Sequence, residues 1–148
     1  DSHLFIDAFR SEEAAAELEG FHAAFAPFQF LSSVVAMELR TGVSSADAAR
    51  LERCVIGPFE RRGWLFAPSR AAWKETGRVL ATLREHDGLR VDGLRLDAAA
   101  RSFVNDVLLA LSCREEGVTL VTTNERNFRR IAQVVRFDYV APWPSPRS

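Results

Sequence analysis

Three carboxylates and one amide occupy positions where the sequence asks for chemistry: Asp1, Glu38, Asp106 and Asn124. Asp106 lies in SFVNDVLLALSCREEG among Val, Leu and Ala, and an acid in such company needs a partner. Asp1 precedes the apolar Leu4, Phe5 and Ile6, Glu38 falls one to two turns into the helix that follows QFLSS, and Asn124 ends VTLVTT. Carboxylates within about 6 Å of one another raise each other's pKa, so gathering Asp1, Glu38 and Asp106 is unfavourable unless a cation fills the cluster. Oxygen ligands without a neighbouring Cys or His select a hard ion, Mg2+ or Mn2+, over zinc. Such an ion polarises phosphate oxygens and activates water at neutral pH. Taken singly, each residue has a plainer explanation. An Asp in a first helical turn answers the helix dipole, and Glu38 beside Arg40 can simply be solvated.

The elements that must position these groups follow from periodicity and stop signals. The opening DSHLFID reads as a strand cut in half, which places Asp1 at a strand end and leads one to expect residues ahead of it. Ser11 with Glu12 and Glu13 starts a helix that runs to about Ala24. PFQFLSS is a short strand ending in N-cap residues, VVAMELRTG a helix stopped by Gly42, and Ser45 to Arg61 a third helix. WLFAP is a strand closed by Pro68, and Ser69 opens a long amphipathic helix to about Glu85. His86 to Asp97 reads as a loop or flap. Asp106 is expected in the first turn of the next helix, capped by Ser102 or Asn105. The strand VTLVTT, a short helix through RNFRRIA and a strand in RFDYVAPW complete the chain. This alternation predicts an α/β fold with a mostly parallel central sheet and helices on both faces, and such sheets collect functional groups at the carboxyl ends of their strands.

The 148 residues, 47% hydrophobic, suffice for one domain and are too few for two ordinary ones. No apolar run reaches the roughly 20 residues of a membrane span, and the start is not a signal peptide, so a cytoplasmic protein without membrane attachment is expected. Cys54 and Cys113 sit in apolar helical patterns and read as core thiols. The net charge of −1 excludes a uniformly basic surface, yet Lys74 is the only lysine and every other basic residue is arginine, the better bidentate phosphate ligand.

Taken in order, DSHLFID, SSVVAMELRTG and NDVLLALSCREEGVTLVTTNERNF resemble the acidic motifs of PIN domains, and the resemblance spans residues 1–148 as a single PIN-like domain, most similar in length and loops to VapC toxins of type II toxin–antitoxin pairs. It implies a three-layer α/β/α fold and a metal-dependent endoribonuclease. Asp1, Glu38 and Asp106 become the catalytic acids that bind one or two Mg2+ or Mn2+ ions, with Ser2, Thr122 and Asn124 supporting them from behind. The reaction implied is hydrolysis of an RNA phosphodiester, leaving a 3′-hydroxyl and a 5′-phosphate. Many family members carry a fourth acid where this chain has Asn124 or Asn127, so a second metal would be held more weakly.

The resemblance further implies a cognate antitoxin that blocks the active groove and a homodimeric toxin. Arg10, Arg40, Arg126, Arg129 and Arg130 are candidate contacts to RNA phosphates, or else belong to solvated helix faces. A competing expectation, motivated by the two amides, is a catalytically weak PIN module that binds RNA or a protein without cutting. A response-regulator-like or phosphohydrolase domain is disfavoured: it wants a lysine near the last strands or an Asp-x-Asp pair, whereas Lys74 is mid-helix and residue 3 is His.

Overall fold

A computed structural model describes residues 1–87 and 98–144. Its elements are α1 (Ser2–Arg10), α2 (Glu12–Phe25), β1 (Leu31–Ser32), α3 (Ser33–Gly42), α4 (Ser45–Leu51), a π turn (Glu52–Ile56), α5 (Gly57–Arg61), β2 (Leu65–Phe66), α6 (Arg70–Asp87), α7 (Ala98–Glu116), β3 (Leu120–Val121), α8 (Glu125–Ala132) and β4 (Tyr139–Val140). The architecture is α/β. Strand β1 pairs with β2 in parallel, Leu31 opposite Leu65, and β3 pairs with β4. The β3 amides advance along β4 in the same sense, Leu120 to the Asp138 carbonyl and Thr122 to that of Val140, which is parallel pairing. Among the described residues the expected central sheet is present as these two short pairs. Two strands are short because a cap follows them at once: Ser32 ends β1 and caps α3, and Asn124 caps α8 soon after β3.

Two further expectations change. The opening stretch is helix α1 and not a strand: Leu4, Phe5, Ala8 and Phe9 recur at helical spacing on the more buried side, while His3, Asp7 and Arg10 are exposed. Asp1 is its N-cap, accepting the His3 N–H at 3.1 Å. The helix expected to run unbroken from Ser45 to Arg61 is interrupted by the π turn, because Pro58 has no N–H to continue the ladder and the Gly57 N–H bonds instead to the Glu52 carbonyl. A Cβ on Gly57 would lie 2.6 Å from that carbonyl oxygen, so only glycine fits. The expected loop or flap His86–Asp97 lies, beyond Asp87, outside the described residues.

The described residues form two compact units. The first comprises Asp1–Ala67, Val121–Thr123 and the described residues from Val140 on. Its core is built from Leu4 and Phe5 of α1, Leu31, the α3 residues Val34, Val35, Ala36 and Leu39, and Leu51, Ile56 and Phe59. Gly63, at φ 70°, makes the left-handed turn that delivers Trp64 and β2 to β1. The second unit holds α6, α7 and α8. Ala72, Val79 and Leu83 of α6 and a near-continuous buried run from Val107 to Leu111 in α7 make its core, with Phe128, Ile131 and Val135. No described helix is long and apolar enough to cross a membrane.

Candidate functional site

In the first unit, the capping that starts α1 also buries a charge. The Asp1 side chain is 5% exposed, accepts the His3 N–H on Oδ1, and accepts the Thr122 hydroxyl on Oδ2. Its carboxylate thus sits at the positive end of α1, where a negative charge is favoured. Thr122 is fully buried, and its own N–H is fixed on Val140. The Asp1 nitrogen donates to the Val121 carbonyl at 2.7 Å. Glu38 is brought to the same group by α3, whose start is fixed when the Ser32 hydroxyl accepts the Val34 N–H at 3.2 Å. The Ser2 hydroxyl donates to Glu38 Oε2 at 2.7 Å, so adjacent residues of α1 and its cap reach both carboxylates.

In the second unit, Asp106 is not where the sequence put it. Helix α7 begins at Ala98, so Asp106 lies more than two turns in, beyond the reach of the N-terminal dipole. The helix-start explanation of this residue therefore fails. Asp106 is buried, 9% exposed, between Asn105 and the apolar run Val107–Leu111. A buried carboxylate is costly unless hydrogen-bonded. Here the Asn127 amide donates to its Oδ2 at 2.7 Å and the Asn124 amide at 3.2 Å. Asn124 is oriented by α8 itself: its Oδ1 accepts the Asn127 N–H as the N-cap, which turns its NH2 group towards Asp106. By sequence, Asn127 stands where many family members carry a fourth acid. Its role as a donor needed only the observation that position 127, three residues after a cap, faces the same side as the cap.

Each sequence-predicted acid thus carries an oriented neutral donor: Thr122 on Asp1, Ser2 on Glu38, Asn124 on Asp106. Among the described residues, no group of three or more His, Cys, Asp or Glu side chains stands as a ready metal cage. The chemistry of the acids nonetheless fits a hard divalent ion, being carboxylate oxygen supported by hydroxyl groups, with the His3 ring exposed and 4.0 Å from Asp1 Oδ2.

The candidate arginines divide. Arg40 is engaged by Glu52, at 2.6 and 3.0 Å, and by Glu60 at 3.5 Å. The hydrogen bond from Arg40 holds the Glu52 carboxyl below its usual value. On α8, Arg129 pairs with Glu125 at 3.3 Å, Arg130 lies over the Phe103 ring at 5.2 Å, and Arg126 is exposed. Arg10 is exposed in the last turn of α1. Of the thiols, Cys113 is buried as expected but Cys54 is exposed, since it falls in the π turn and is rotated out of the helical pattern.

The PIN domain family model matches residues 1–134. The structure of FitAB bound to IR36 DNA fragment contains a chain similar to this one, with a TM-score of 0.64 and 14% identity over 99% of this chain and 96% of that one. At that identity the likeness speaks for the fold. No curated protein matches the chain.

Proposed function

This chain belongs to the PIN domain family, and from that membership we propose that it is a metal-dependent endoribonuclease, the toxin of a VapBC-type pair, acting in the cytoplasm as one PIN domain. The observation that carries the proposal is Asp106: a carboxylate buried in the middle of an apolar helix and held by two amides, at a position where neither the dipole nor solvent accounts for it. Asp1, Glu38 and Asp106 are proposed to hold Mg2+ or Mn2+, which when bound supplies polarisation of the phosphodiester and activation of water.

The chain's own residues fix the acids for that task. Thr122 and His3 N–H bond Asp1, Ser2 bonds Glu38, and Asn124 with Asn127 bond Asp106, so each carboxylate is oriented before substrate arrives. The amides add no charge, so the cation requirement rests on the three acids. Arg126, Arg129 and Arg130, all on α8 with Asn127, are the proposed contacts to the RNA backbone, with Arg10 a further one; the ion pairs of Arg40 make it the least available of the five. A cognate antitoxin is a proposed partner, supported by the likeness in fold to the FitAB chain; a homodimer is proposed from the resemblance of the sequence motifs to VapC toxins alone.

The neutral amides beside Asp106 favour one alternative, a PIN module that retains RNA without cutting it. Incubating the protein with a pool of single-stranded RNA in Mg2+ or Mn2+, and in EDTA, separates the two. Fragments bearing 5′-phosphates that form only with metal support the nuclease. Intact RNA retained on the protein supports the module.

A further inference from the structure

Within the first unit, a circuit of contacts closes on the start of α1. Asp1 caps α1 and accepts the Thr122 hydroxyl, and the Thr122 N–H donates to the Val140 carbonyl at 3.1 Å. Three residues further on, the Trp143 ring lies 5.2 Å from Phe21 of α2, and its indole N–H donates to Glu17 Oε2 at 3.2 Å. Helix α2 packs in turn on α1, with the His22 ring 6.2 Å from that of Phe5.

Two links of this circuit are weak by themselves. Strands β3 and β4 are two residues long, and pairing of that length does not hold alone. No residue of α2 is buried, which leaves the helix dependent on half-buried contacts. Glu17, Phe21 and Phe25 recur at four-residue spacing along one flank of α2, with the Phe21 and Phe25 rings 4.8 Å apart, and Trp143 meets that flank with both its ring and its N–H. Ala141 is exposed and Pro142 has no N–H to donate, so the indole is the side-chain anchor of the segment that follows Val140. At the other end, Thr122 is fully buried and β-branched, so the direction of its hydroxyl follows its backbone.

We propose that Trp143 is a positioning residue for the Asp1 carboxylate. Seated on α2, it keeps the Val140 carbonyl on the Thr122 N–H and thereby the Thr122 hydroxyl on Asp1. Its bearing on catalysis rests on the reading of Asp1 as a metal ligand, and its bearing on the geometry of Asp1 does not.

The full chain is compared with Trp143→Leu, which keeps an apolar cover on α2, and with Trp143→Phe, which keeps a ring on Phe21. Amide hydrogen exchange is read by NMR, and Mn2+ is titrated by calorimetry. A local opening frees one bonded amide and leaves distant ones protected, so in Trp143→Leu the Thr122 amide should exchange about tenfold faster while that of Val79, buried in α6, is unchanged. Loss of a partner that directly supports a metal ligand weakens affinity about 10–100-fold, and Trp143, a step further back, should weaken Mn2+ binding about three- to tenfold. Trp143→Phe should restore most of both losses. An unchanged Thr122 rate in Trp143→Leu, an equal acceleration at Val79, or unaltered Mn2+ affinity despite faster Thr122 exchange would overturn the proposal. Faster exchange confined to Thr122, found with a wild type that binds no Mn2+, would uphold the positioning of Asp1 and overturn the metal reading instead.

Discussion

Replacing Asp106 by Asn separates a ligand from an anchor. The amide oxygen of an Asn can take the place of Oδ2 and accept the same two bonds, from Asn127 at 2.7 Å and Asn124 at 3.2 Å. What is lost is the charge. Bonds to an ionised acceptor contribute about 1.5–3 kcal/mol and neutral ones about 0.5–1.5, so the two conversions cost about 2 kcal/mol, partly offset by no longer burying a charge. In a chain of this size that lowers the melting temperature of the metal-free protein by no more than about 8 °C. A divalent ion at a hundredfold excess over its dissociation constant stabilises the wild type by about 2.7 kcal/mol, a rise of roughly 5–11 °C. Thermal unfolding of both proteins, with EDTA and with Mn2+ titrated in, provides the assay. The expected outcome is a metal-dependent rise in the wild type that is absent in Asp106→Asn. The reasoning is refuted if the variant shows the same rise, or if without metal it melts more than about 10 °C below the wild type, which would make Asp106 the tie that holds α8 to α7.

Asn124→Asp keeps the cap acceptor for the Asn127 N–H but sets a second carboxylate against Asp106; without metal it should cost about 1–2 kcal/mol, and by calorimetry Mn2+ should bind several-fold more tightly than in the wild type. Ser32→Ala removes the cap that begins α3 and so positions Glu38; denaturant titration should show a loss of about 1 kcal/mol, accompanied by slower RNA cleavage. Burial pushes the Cys113 thiol up to about 12, whereas an unfolded thiol titrates near about 8.5. Between those values the unfolded chain gives up a proton that the folded chain retains, so stability falls as pH rises through that window, and Cys113→Ala should flatten the fall. At pH 8, Ellman's reagent should titrate one thiol in the native protein, Cys54, and both in denaturant.

The comparison of sequence with structure turns on which signals are local. Ser11 and Ser32 are read as caps because capping is decided within three residues, and each accepts the expected N–H. The start of α7 lies upstream of the polar residues beside Asp106 because the Ala98–Ala100 run has high helix propensity and extends the helix. The opening LFIDAF fits strand by composition and helix by spacing, and the buried pair Leu4 and Phe5 decided for helix. The π turn was invisible to periodicity because one extra residue shifts every later position, Cys54 among them. Ser2, Thr122 and Asn124 were named as supports for the acids, but the donor that each acid receives, and the second amide on Asp106 from Asn127, depend on pairings from 18 to more than a hundred residues apart that no window of sequence contains.

The most direct test is cleavage of a single-stranded RNA pool by the wild type and by Asp106→Asn, each shown to be folded, in Mg2+ and in EDTA. Fragmentation by the wild type in Mg2+ alone, reduced at least a hundredfold in the variant, is the predicted result. Equal fragmentation by both proteins, or RNA left intact by the folded wild type with metal bound, would contradict the assignment of this chain as a nuclease that uses Asp106.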